Sequence, residues 1–489
     1  MSPATRSQPA RSAPSPWIAL ILLCAAQFMV VLDASIVNVA LPSIGEALDF
    51  SQSNLSWVVN AYVLVFGGFL LLGGRLADLL GRRRVFITGL LIFSAASLAG
   101  GLATNETQLI VARAVQGLGG ALFSPAALSI ITATFREGSD RNKALGAWGA
   151  VAGSGGAVGV LLGGVLTDLV GWEWVFWVNV PIGVLVAALA MRIVPESRAS
   201  EMHRSFDLPG AISVTAGLSI LVYALVDADS AGWGSAQTIV LLAVAAALLS
   251  AFVGIERRSA APLVPERLVK LGSVRGSNAV GLLVGASLFS MFFFVSLYMQ
   301  QVLGFSPLKT GLSYVPLAVT IILSAGLASQ IVTRTGFKPV LMVGTLLIAA
   351  GLLWFSRISV DGSFASDVLG PSLLAAVGLG FSFVPTTIGA VSGVGRDDAG
   401  VASGLINASQ QIGGALGLAV LATLANGRTD DLIAGGGSDP KTALTEGFQV
   451  AFLGGAGFAL LGFLLAATMI SSSDSRRYSE DPEAAPAAA

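Results

Sequence analysis

Fourteen apolar segments follow one another along this chain of 489 residues, separated by short polar stretches. Each is close to the ~20 residues that an α-helix needs to cross the hydrocarbon core of a bilayer. Only 11% of the residues are charged, whereas a soluble domain carries about 25%. We therefore predict an all-α polytopic membrane protein; the alternative count treats two of the segments as one long span. The predicted spans are 17–41, 55–73, 84–104, 107–131, 144–167, 174–194, 209–227, 238–255, 277–300, 309–331, 338–356, 367–391, 401–424 and 447–470.

The basic residues orient these segments. If the N-terminus is cytoplasmic, 22 of the 27 lysine and arginine residues lie in cytoplasmic loops and tails, four lie outside and one lies within a span. Cytoplasmic loops of membrane proteins carry an excess of lysine and arginine. The distribution therefore predicts an even number of spans, with both termini cytoplasmic.

Residue content argues against several classes of function. Cys24 is the only cysteine and His203 the only histidine, so we expect no disulfide and no Cys/His metal site. No Gly-Lys pair occurs in the sequence, which excludes a phosphate-binding P-loop in this chain. The net charge of −1 gives no indication of a charged partner. We predict neither an enzyme, nor a bound cofactor, nor a nucleic-acid partner.

A short basic loop between the second and third spans carries the most specific signal. Its sequence is Gly-Arg-Leu-Ala-Asp-Leu-Leu-Gly-Arg-Arg-Arg, at 74–84. Gly81 permits backbone angles that other residues avoid, and Asp78 can accept hydrogen bonds from helix ends or pair with an arginine. The loop resembles the Gly-x-Leu-Ala-Asp-x-x-Gly-Arg-Arg signature of the major facilitator superfamily, where it latches two helical bundles in one conformation. The resemblance implies this role for Gly74, Asp78, Gly81 and Arg82; the alternative is a plain positive-inside loop.

The same resemblance implies the fold: two six-helix bundles with a substrate site between them at mid-membrane. Two spans, 209–227 and 238–255, are then extra and lie between the bundles in the chain. In the second bundle Thr333 stands where the signature aspartate would be, so we expect an asymmetric latch. The predicted units are a disordered N-terminal tail at 1–16, a first bundle at 17–194, a linker with the extra spans at 195–276, a second bundle at 277–470 and a disordered C-terminal tail at 471–489.

Asp33 lies within the first span, in Leu-Asp-Ala-Ser-Ile-Val-Asn-Val-Ala-Leu-Pro at 32–42. A carboxylate in the hydrocarbon region is costly and should face a cavity or a partner, and burial of a carboxyl group favours its protonated form. The stretch resembles the first-span signature of the fourteen-span drug:proton antiporters, with Ser35 in place of threonine. The resemblance implies that Asp33 carries the proton or pairs with a cationic substrate. The alternative is an aspartate that only orients the helix.

Arg113 is the other charge that we place within a span. Arginine stays ionised, so it needs a buried partner or a water-filled cavity. The stretch Arg-Ala-Val-Gln-Gly at 113–117 resembles the Arg-x-x-Gln-Gly motif of the family's fourth span, which is associated with proton coupling. Whether Arg113 contacts Asp33 stays open at this point. The alternative is that Arg113 extends to the outer membrane interface.

The fifth predicted span is rich in glycine, with eight glycines among the 19 residues at 146–164. Each costs a water-exposed helix about 1 kcal/mol relative to alanine, so we expect a packing or bending purpose. The region resembles the fifth-span antiporter motif that ends Gly-Pro-x-x-Gly-Gly, but Val160 replaces the proline that would kink the helix. The resemblance implies a flexible seam; the alternative is a small-residue packing face. The predicted seam comprises Gly149, Gly153, Gly156, Gly159, Gly163 and Gly164.

Uncharged polar residues within spans are candidates for the substrate path, because they are expected to face the interior of the protein. Contact with other helices only is an equally open alternative. The candidates are Asn38, Gln116, Asn407 and Gln411.

These features and the resemblance together predict a proton-coupled antiporter that exports lipophilic drugs or antibiotics across the cytoplasmic membrane of a bacterium by alternating access. Its energy source would be the proton gradient. Its partners would be a small lipophilic substrate, protons and membrane lipid, and it would be monomeric. Two alternatives stay open: an importer or proton symporter of a small metabolite on the same fold, and a membrane sensor or scaffold that transports nothing.

Overall fold

The computed structural model describes residues 15–50, 55, 57–135, 138–197, 207–259, 262–395, 398–434 and 439–480. These residues are mostly α-helical, and each predicted span overlaps one long helix. Numbered in chain order, the long helices are α1 (Pro16–Ala47), α2 (Trp57–Leu80), α3 (Arg82–Gly101), α4 (Glu106–Thr134), α5 (Ser139–Leu169), α6 (Asn179–Ile193), α7 (Leu208–Ala231), α8 (Ala236–Glu256), α9 (Gly272–Leu297), α10 (Val315–Thr335), α11 (Phe337–Phe355), α12 (Gly370–Val391), α13 (Ala399–Ala434) and α14 (Pro440–Met469).

Length and composition identify the helices that can cross a bilayer. Within the described residues, twelve helical stretches are at least 18 residues long and sufficiently apolar. The two parts of α5, Ser139–Gly156 and Val158–Leu169, satisfy the same criteria together and are bent by 43° at their junction. α7 contributes a shorter apolar stretch, Pro209–Leu225. The all-α membrane class is confirmed, whereas the count of fourteen spans stays a prediction.

Polar side chains and glycine define the helix ends. Asn105 precedes α4, and its side chain accepts a hydrogen bond from a backbone N–H of the first turn, as N-cap residues do. Gly81 forms the turn between α2 and α3 with φ of +111°, a conformation that glycine adopts without a Cβ clash. The arginines at 82–84 follow directly. We call the end of the molecule at which this turn lies the basic end.

The helices form two bundles, α1–α6 and α9–α14. In the first bundle, α4 packs against α2 and α3, and α1 packs against α5. In the second bundle, α9 packs against α13, α11 against α12, and α14 against both α9 and α11. Glycines permit close approach at these contacts: a Cβ on Gly119 of α4 would lie 2.6 Å from the backbone nitrogen of Phe93 on α3.

The bundles meet along two seams. At one seam α5 packs against α10 and α12, and at the other α2 packs against α13. α7 covers the second seam, where Tyr223 stacks on Trp57 of α2 with ring centroids 5.6 Å apart. At the end of α7, Trp233 Nε1 donates to Thr423 Oγ1 of α13 at 2.6 Å. α8 packs on α7 and is otherwise largely exposed, so the extra helices lie beside the bundles.

The C-terminal tail departs in part from the prediction of disorder over 471–489. Ser472–Glu480 forms a helix, and the hydroxyl of Ser475 accepts the backbone N–H of Lys338 at 2.9 Å. The prediction is wrong for this stretch because polar composition does not reveal docking against the start of α11. Residues 1–14 of the predicted N-terminal tail, and 481–489 of the C-terminal tail, lie outside the described residues.

Candidate functional site

Asp33 and Arg113 form a buried ion pair inside the first bundle. Arg113 Nη1 lies 2.6 Å from Asp33 Oδ2, and the two side chains are 1% and 0% exposed, respectively. α1 and α4 bring together residues that are 80 positions apart in the sequence. Removal of one partner of a buried pair leaves an uncompensated charge, which costs roughly 3–5 kcal/mol. Arg113 therefore points into the bundle, and the alternative in which it extends to the outer interface is wrong.

The orientation of Arg113 is fixed by further contacts. Its Nε donates to the carbonyl oxygen of Val58 at 2.8 Å, and Nη1 also donates to Gln116 Oε1 at 2.7 Å. The guanidinium carbon lies 4.3 Å from the ring centroid of Tyr62, a geometry in which a cation is attracted to the aromatic face. Because the donors of arginine form a rigid fork, these contacts determine where Nη1 meets Asp33.

Two amides complete the shell around Asp33. Gln116 Nε2 donates to Asp33 Oδ1 at 2.7 Å and to Ser97 Oγ at 2.9 Å. Asn179 Nδ2, at the start of α6, donates to the same Asp33 Oδ1 at 3.0 Å. Gln116, Ser97 and Asn179 are all buried. The structure thus places Gln116 inside this network, where its amide is engaged, and its predicted part in the substrate path stays a prediction.

Sequence reasoning missed Tyr62, Ser97 and Asn179. The signal that could have revealed Asn179 is a lone amide in an apolar stretch, within Trp-Val-Asn-Val-Pro at 177–181. Two buried atoms of this cluster, Asn179 Oδ1 and the hydroxyl of Tyr62, have no hydrogen-bond partner among the described residues. A buried polar atom without a partner costs roughly 1–3 kcal/mol, so the cluster has unused hydrogen-bonding capacity beside the charged pair.

Asp78 joins the two bundles at the basic end. Its Oδ1 and Oδ2 accept the backbone N–H groups of Gly400 and Val401, at 3.2 Å each, in the first turn of α13. Arg82 donates to Asp78 Oδ1 from Nη2 at 2.8 Å and from Nε at 3.1 Å. The first N–H groups of a helix lack intrahelical partners and carry partial positive charge. The carboxylate of Asp78 therefore stabilises contact between α2 and α13.

Glycines allow α2 and α13 to touch at this contact. A Cβ on Gly74 would collide with the carbonyl oxygen of Gly400, and a Cβ on Gly404 would lie 2.9 Å from the carbonyl oxygen of Leu70. Gly81 adopts the left-handed turn that follows α2. All four residues of the predicted latch thus lie at or beside one contact between the bundles, and their role as a latch stays a prediction.

The other seam has an uncharged contact at the basic end. Asn142 Nδ2 of α5 donates to Thr333 Oγ1 of α10 at 2.9 Å, where the signature loop would have an aspartate. A third contact at this end joins the segment after α8 to the start of α13: Arg267 Nη2 lies 2.7 Å from Asp398 Oδ2. The contact across one seam therefore involves the charged Asp78, whereas the contact across the other seam is a hydrogen bond between two uncharged side chains.

The glycines of α5 face two different partners. Gly159 and Gly163 lie against the backbone of α1, and Gly149 faces Val384 of α12, whose Cγ2 would be 3.0 Å from an added Cβ. Gly156 has nothing within 4 Å of an added Cβ and lies beside the 43° bend. Close contacts and a bend therefore both occur in this helix, and the flexible seam stays a prediction.

Three residues of the predicted substrate path remain accessible. Asn38 on α1 is exposed, and Asn407 and Gln411 on α13 are half-buried. Asn38 Nδ2 donates to the backbone carbonyl of Ala34, and Asn407 Nδ2 donates to that of Ser403. Their amide oxygens and the amide of Gln411 can therefore contact a substrate, a role that stays a prediction.

Two helical bundles that meet at one end through Asp78, with a buried charge pair inside the first bundle, are the architecture of a polytopic membrane transporter. Among the described residues, no cluster of three or more His, Cys, Asp or Glu side chains could hold a metal ion. The polar chemistry is instead concentrated at the pair in the first bundle and at the contact of Asp78.

Comparison with known proteins gives the family. The family model of the Major Facilitator Superfamily matches residues 23–418. The chain is 43% identical over 445 residues to the cephamycin export protein CmcT of Amycolatopsis lactamdurans, covering 90% of each chain. It is 39% identical over 465 residues to the puromycin resistance protein pur8 of Streptomyces alboniger, covering 94% of this chain and 92% of the relative.

The fold is also similar to that of the human organic anion transporter MFSD10, with a TM-score of 0.66 at 17% identity, covering 93% of this chain and 100% of that one. The chain therefore belongs to the Major Facilitator Superfamily and has its fold. It is a transporter and not an enzyme.

Proposed function

We propose that this transporter exports small lipophilic drugs or antibiotics in exchange for protons, by alternating access across the cytoplasmic membrane of a bacterium. The buried pair of Asp33 and Arg113 is the observation that supports proton coupling. A buried ionisable pair within membrane-spanning helices is costly. Exchange of a proton at the carboxylate during the cycle would explain why the chain has one. The names of the two relatives, which refer to cephamycin export and puromycin resistance, support antibiotics as the class of substrate.

In the proposed cycle, a proton binds to Asp33 and removes its attraction for Arg113. The bundles then change their relative orientation, which requires that Asp78 release the N–H groups of Gly400 and Val401. With the basic end in the cytoplasm, as the excess of lysine and arginine favours, the conformation held by Asp78 is closed to the cytoplasm. No cofactor is needed, because the proton gradient supplies the energy.

The proton gradient suffices for this work. One charge that crosses 100 mV releases about 2.3 kcal/mol, and a tenfold concentration gradient of a neutral substrate stores about 1.4 kcal/mol. Exchange of one proton for one neutral molecule therefore sustains a roughly forty-fold gradient before any contribution from the pH difference. Exchange for a monovalent cation is electroneutral and uses the pH difference only.

The test uses inverted membrane vesicles with an acid-inside gradient, to which puromycin, a cephamycin, lipophilic cations and neutral antibiotics are added in turn. Lumenal pH is followed for the wild type and for Asp33→Asn. A matched control is Asp227→Asn, because Asp227 lies in α7, accepts from Gln237 of α8 and is outside the proposed coupling path. We expect substrate-induced proton release from the wild type and from the control, and none from Asp33→Asn.

The other outcomes separate the alternatives. Release that persists in Asp33→Asn would leave antiport standing and remove Asp33 from the coupling path. No release with any compound would contradict antiport of these substrates. Acidification of the lumen on addition of a small metabolite would support proton-coupled symport, and hence the importer.

A further inference from the structure

The side chains around Asp33 are arranged for its ionised form. Its carboxylate accepts from Arg113 Nη1, Gln116 Nε2 and Asn179 Nδ2, so every side-chain contact is with a donor. A protonated carboxyl group carries an O–H that must donate. Facing three donors, that O–H would be buried without a partner, which is costly. Protonation therefore requires that one of the three neighbours present an acceptor.

Two of the three neighbours, Arg113 and Gln116, cannot present an acceptor to a protonated Asp33. Arg113 has no acceptor atom. Gln116 has an acceptor, but Oε1 already accepts from Arg113 at 2.7 Å, and Nε2 also donates to Ser97 Oγ at 2.9 Å. Turning the amide of Gln116 over would break both bonds and place an N–H group against the guanidinium group. Gln116 is therefore held in one orientation.

Asn179 has neither restriction. Its Oδ1 is buried and has no hydrogen-bond partner among the described residues, so turning this amide over breaks no bond other than the one to Asp33. Oδ1 then takes the place of Nδ2, which lies 3.0 Å from Asp33 Oδ1. The chain thus offers one amide next to Asp33 that can change from donor to acceptor.

We propose that Asn179 is the positioning residue that holds Asp33 in both protonation states: it donates to the carboxylate and, once turned over, accepts from the protonated acid. The inference rests on the proposed proton exchange at Asp33 and deepens it. In this step a proton from the aqueous phase forms an O–H bond with Asp33 Oδ1. The hydrogen bond from Asn179 Nδ2 is replaced by one to Asn179 Oδ1. The O–H bond of Asp33 is the one covalent bond that forms within the protein, and none in the protein breaks.

Few other ionisable groups face this cluster. Among the described residues in contact with it, α4 contributes the charge of Arg113 and α2 contributes the phenol of Tyr62. α3 contributes the uncharged Ser97, and the short helix Trp174–Trp177 contributes the ring of Phe176, 5.8 Å from the guanidinium carbon of Arg113. A change in pH dependence on substitution of Asn179 is therefore attributable to Asp33.

The test compares two substitutions of Asn179, by threonine and by valine, which have nearly the same shape as each other. Both are made in the full-length protein and measured in inverted vesicles. Asn179→Thr retains a hydroxyl that can donate or accept, whereas Asn179→Val has the same shape and neither ability. The pH at which substrate-induced proton release is half-maximal is measured for each. We expect Asn179→Val to shift this pH downward by about one unit, because the O–H of the acid is left buried without an acceptor. The carboxylate loses only the longest of its three hydrogen bonds, the one of 3.0 Å, and keeps those of 2.6 Å and 2.7 Å. Asn179→Thr should lie between the wild type and Asn179→Val, because its hydroxyl is one bond closer to the backbone than the amide of asparagine.

A matched control is Gln449→Met, which removes an amide that donates to the carbonyl of Ile358 in the second bundle; it should keep the wild-type profile. If Asn179→Val does not reach the membrane, Asn179→Ala also lacks donor and acceptor and carries the same expected shift.

An upward shift in Asn179→Val would show that Asn179 only donates to the carboxylate, and an unchanged profile would show that it has no positioning role; either result overturns the inference while proton exchange stands. Absence of substrate-induced release from the wild type would overturn the proposed function, and this inference with it.

Discussion

Replacing Asp78 by asparagine tests the contact at the basic end, because the substitution keeps the size of the side chain and removes its charge. The carboxylate accepts two backbone N–H groups of α13, at 3.2 Å each, and also the guanidinium of Arg82. Arg82 is four residues along the same segment, so that pair persists whether the bundles are joined or apart. Only the bonds from Gly400 and Val401 are specific to the joined conformation.

These two bonds determine the expected magnitude. A hydrogen bond to a charged group contributes about 1.5–3 kcal/mol, and a neutral one about 0.5–1.5 kcal/mol. Asparagine has one side-chain oxygen, so it retains one of the two bonds in the weaker neutral form and turns its NH2 group towards the other N–H. The joined conformation should therefore lose about 3 kcal/mol, which corresponds to a roughly 150-fold change in the ratio of the two conformations.

A single cysteine at the contact measures this ratio. Cys24, the only native cysteine, is first replaced by alanine. Ser403→Cys is then introduced, because Ser403 is buried and adjoins Gly404, which packs against Leu70 of α2. Labelling by a membrane-impermeant maleimide from the basic end then reports the separated conformation. We expect Asp78→Asn to raise the labelling rate well over tenfold. Asp439→Asn is the matched control, because Asp439 caps the start of α14 at the opposite end; equal rates in the two variants would refute the reasoning.

Two further substitutions test the contacts of glycine and arginine. Gly74→Ala places a methyl group against the carbonyl oxygen of Gly400 and should raise the same labelling rate, whereas Gly457→Ala on α14, with nothing within 4 Å of its Cβ, should leave it unchanged; equal rates would contradict the argument. Arg113→Lys keeps the charge but loses Nε, which donates to Val58, and the rigid fork of donors. Substrate-induced proton release should fall at least tenfold at an unchanged amount of membrane protein, and a rate within twofold of the wild type would show that charge alone suffices.

That Asp33 and Arg113 need a partner or a cavity could be predicted from the sequence, because a charge in the hydrocarbon region is so costly. Their direct contact could not be predicted, because it depends on how α1 and α4 pack. The helices could be predicted for a similar reason, since the backbone within a bilayer must satisfy its own hydrogen bonds. Both predictions rest on large energies that do not depend on details of packing.

The amides could not be placed in the same way. A buried amide gains or loses about 1 kcal/mol per hydrogen bond, so contact with a substrate, with a helix or with the charged pair differs little in energy. The contact of Gln116 with the charged pair was therefore not predicted, and Asn179 was missed. The position of α7 over one seam depends likewise on the fit of surfaces, such as Tyr223 on Trp57, which no local pattern encodes.

The two seams have different parts in the proposed cycle. At the seam of α2 and α13, Asp78 holds the basic end closed through bonds that can break as a unit. At the other seam, α5 contacts α1, which carries Asp33, through Gly159 and Gly163, and contacts the second bundle at Val384. These close contacts leave little slack, because protein interiors are close-packed. A shift of α1 on protonation must therefore displace α5 or open its bend, and either change alters the contact with the second bundle. In the proposed cycle, coupling of proton to substrate therefore requires both seams: the seam of α5 transmits the protonation state, and the contact of Asp78 keeps the cytoplasmic side closed until that state has changed.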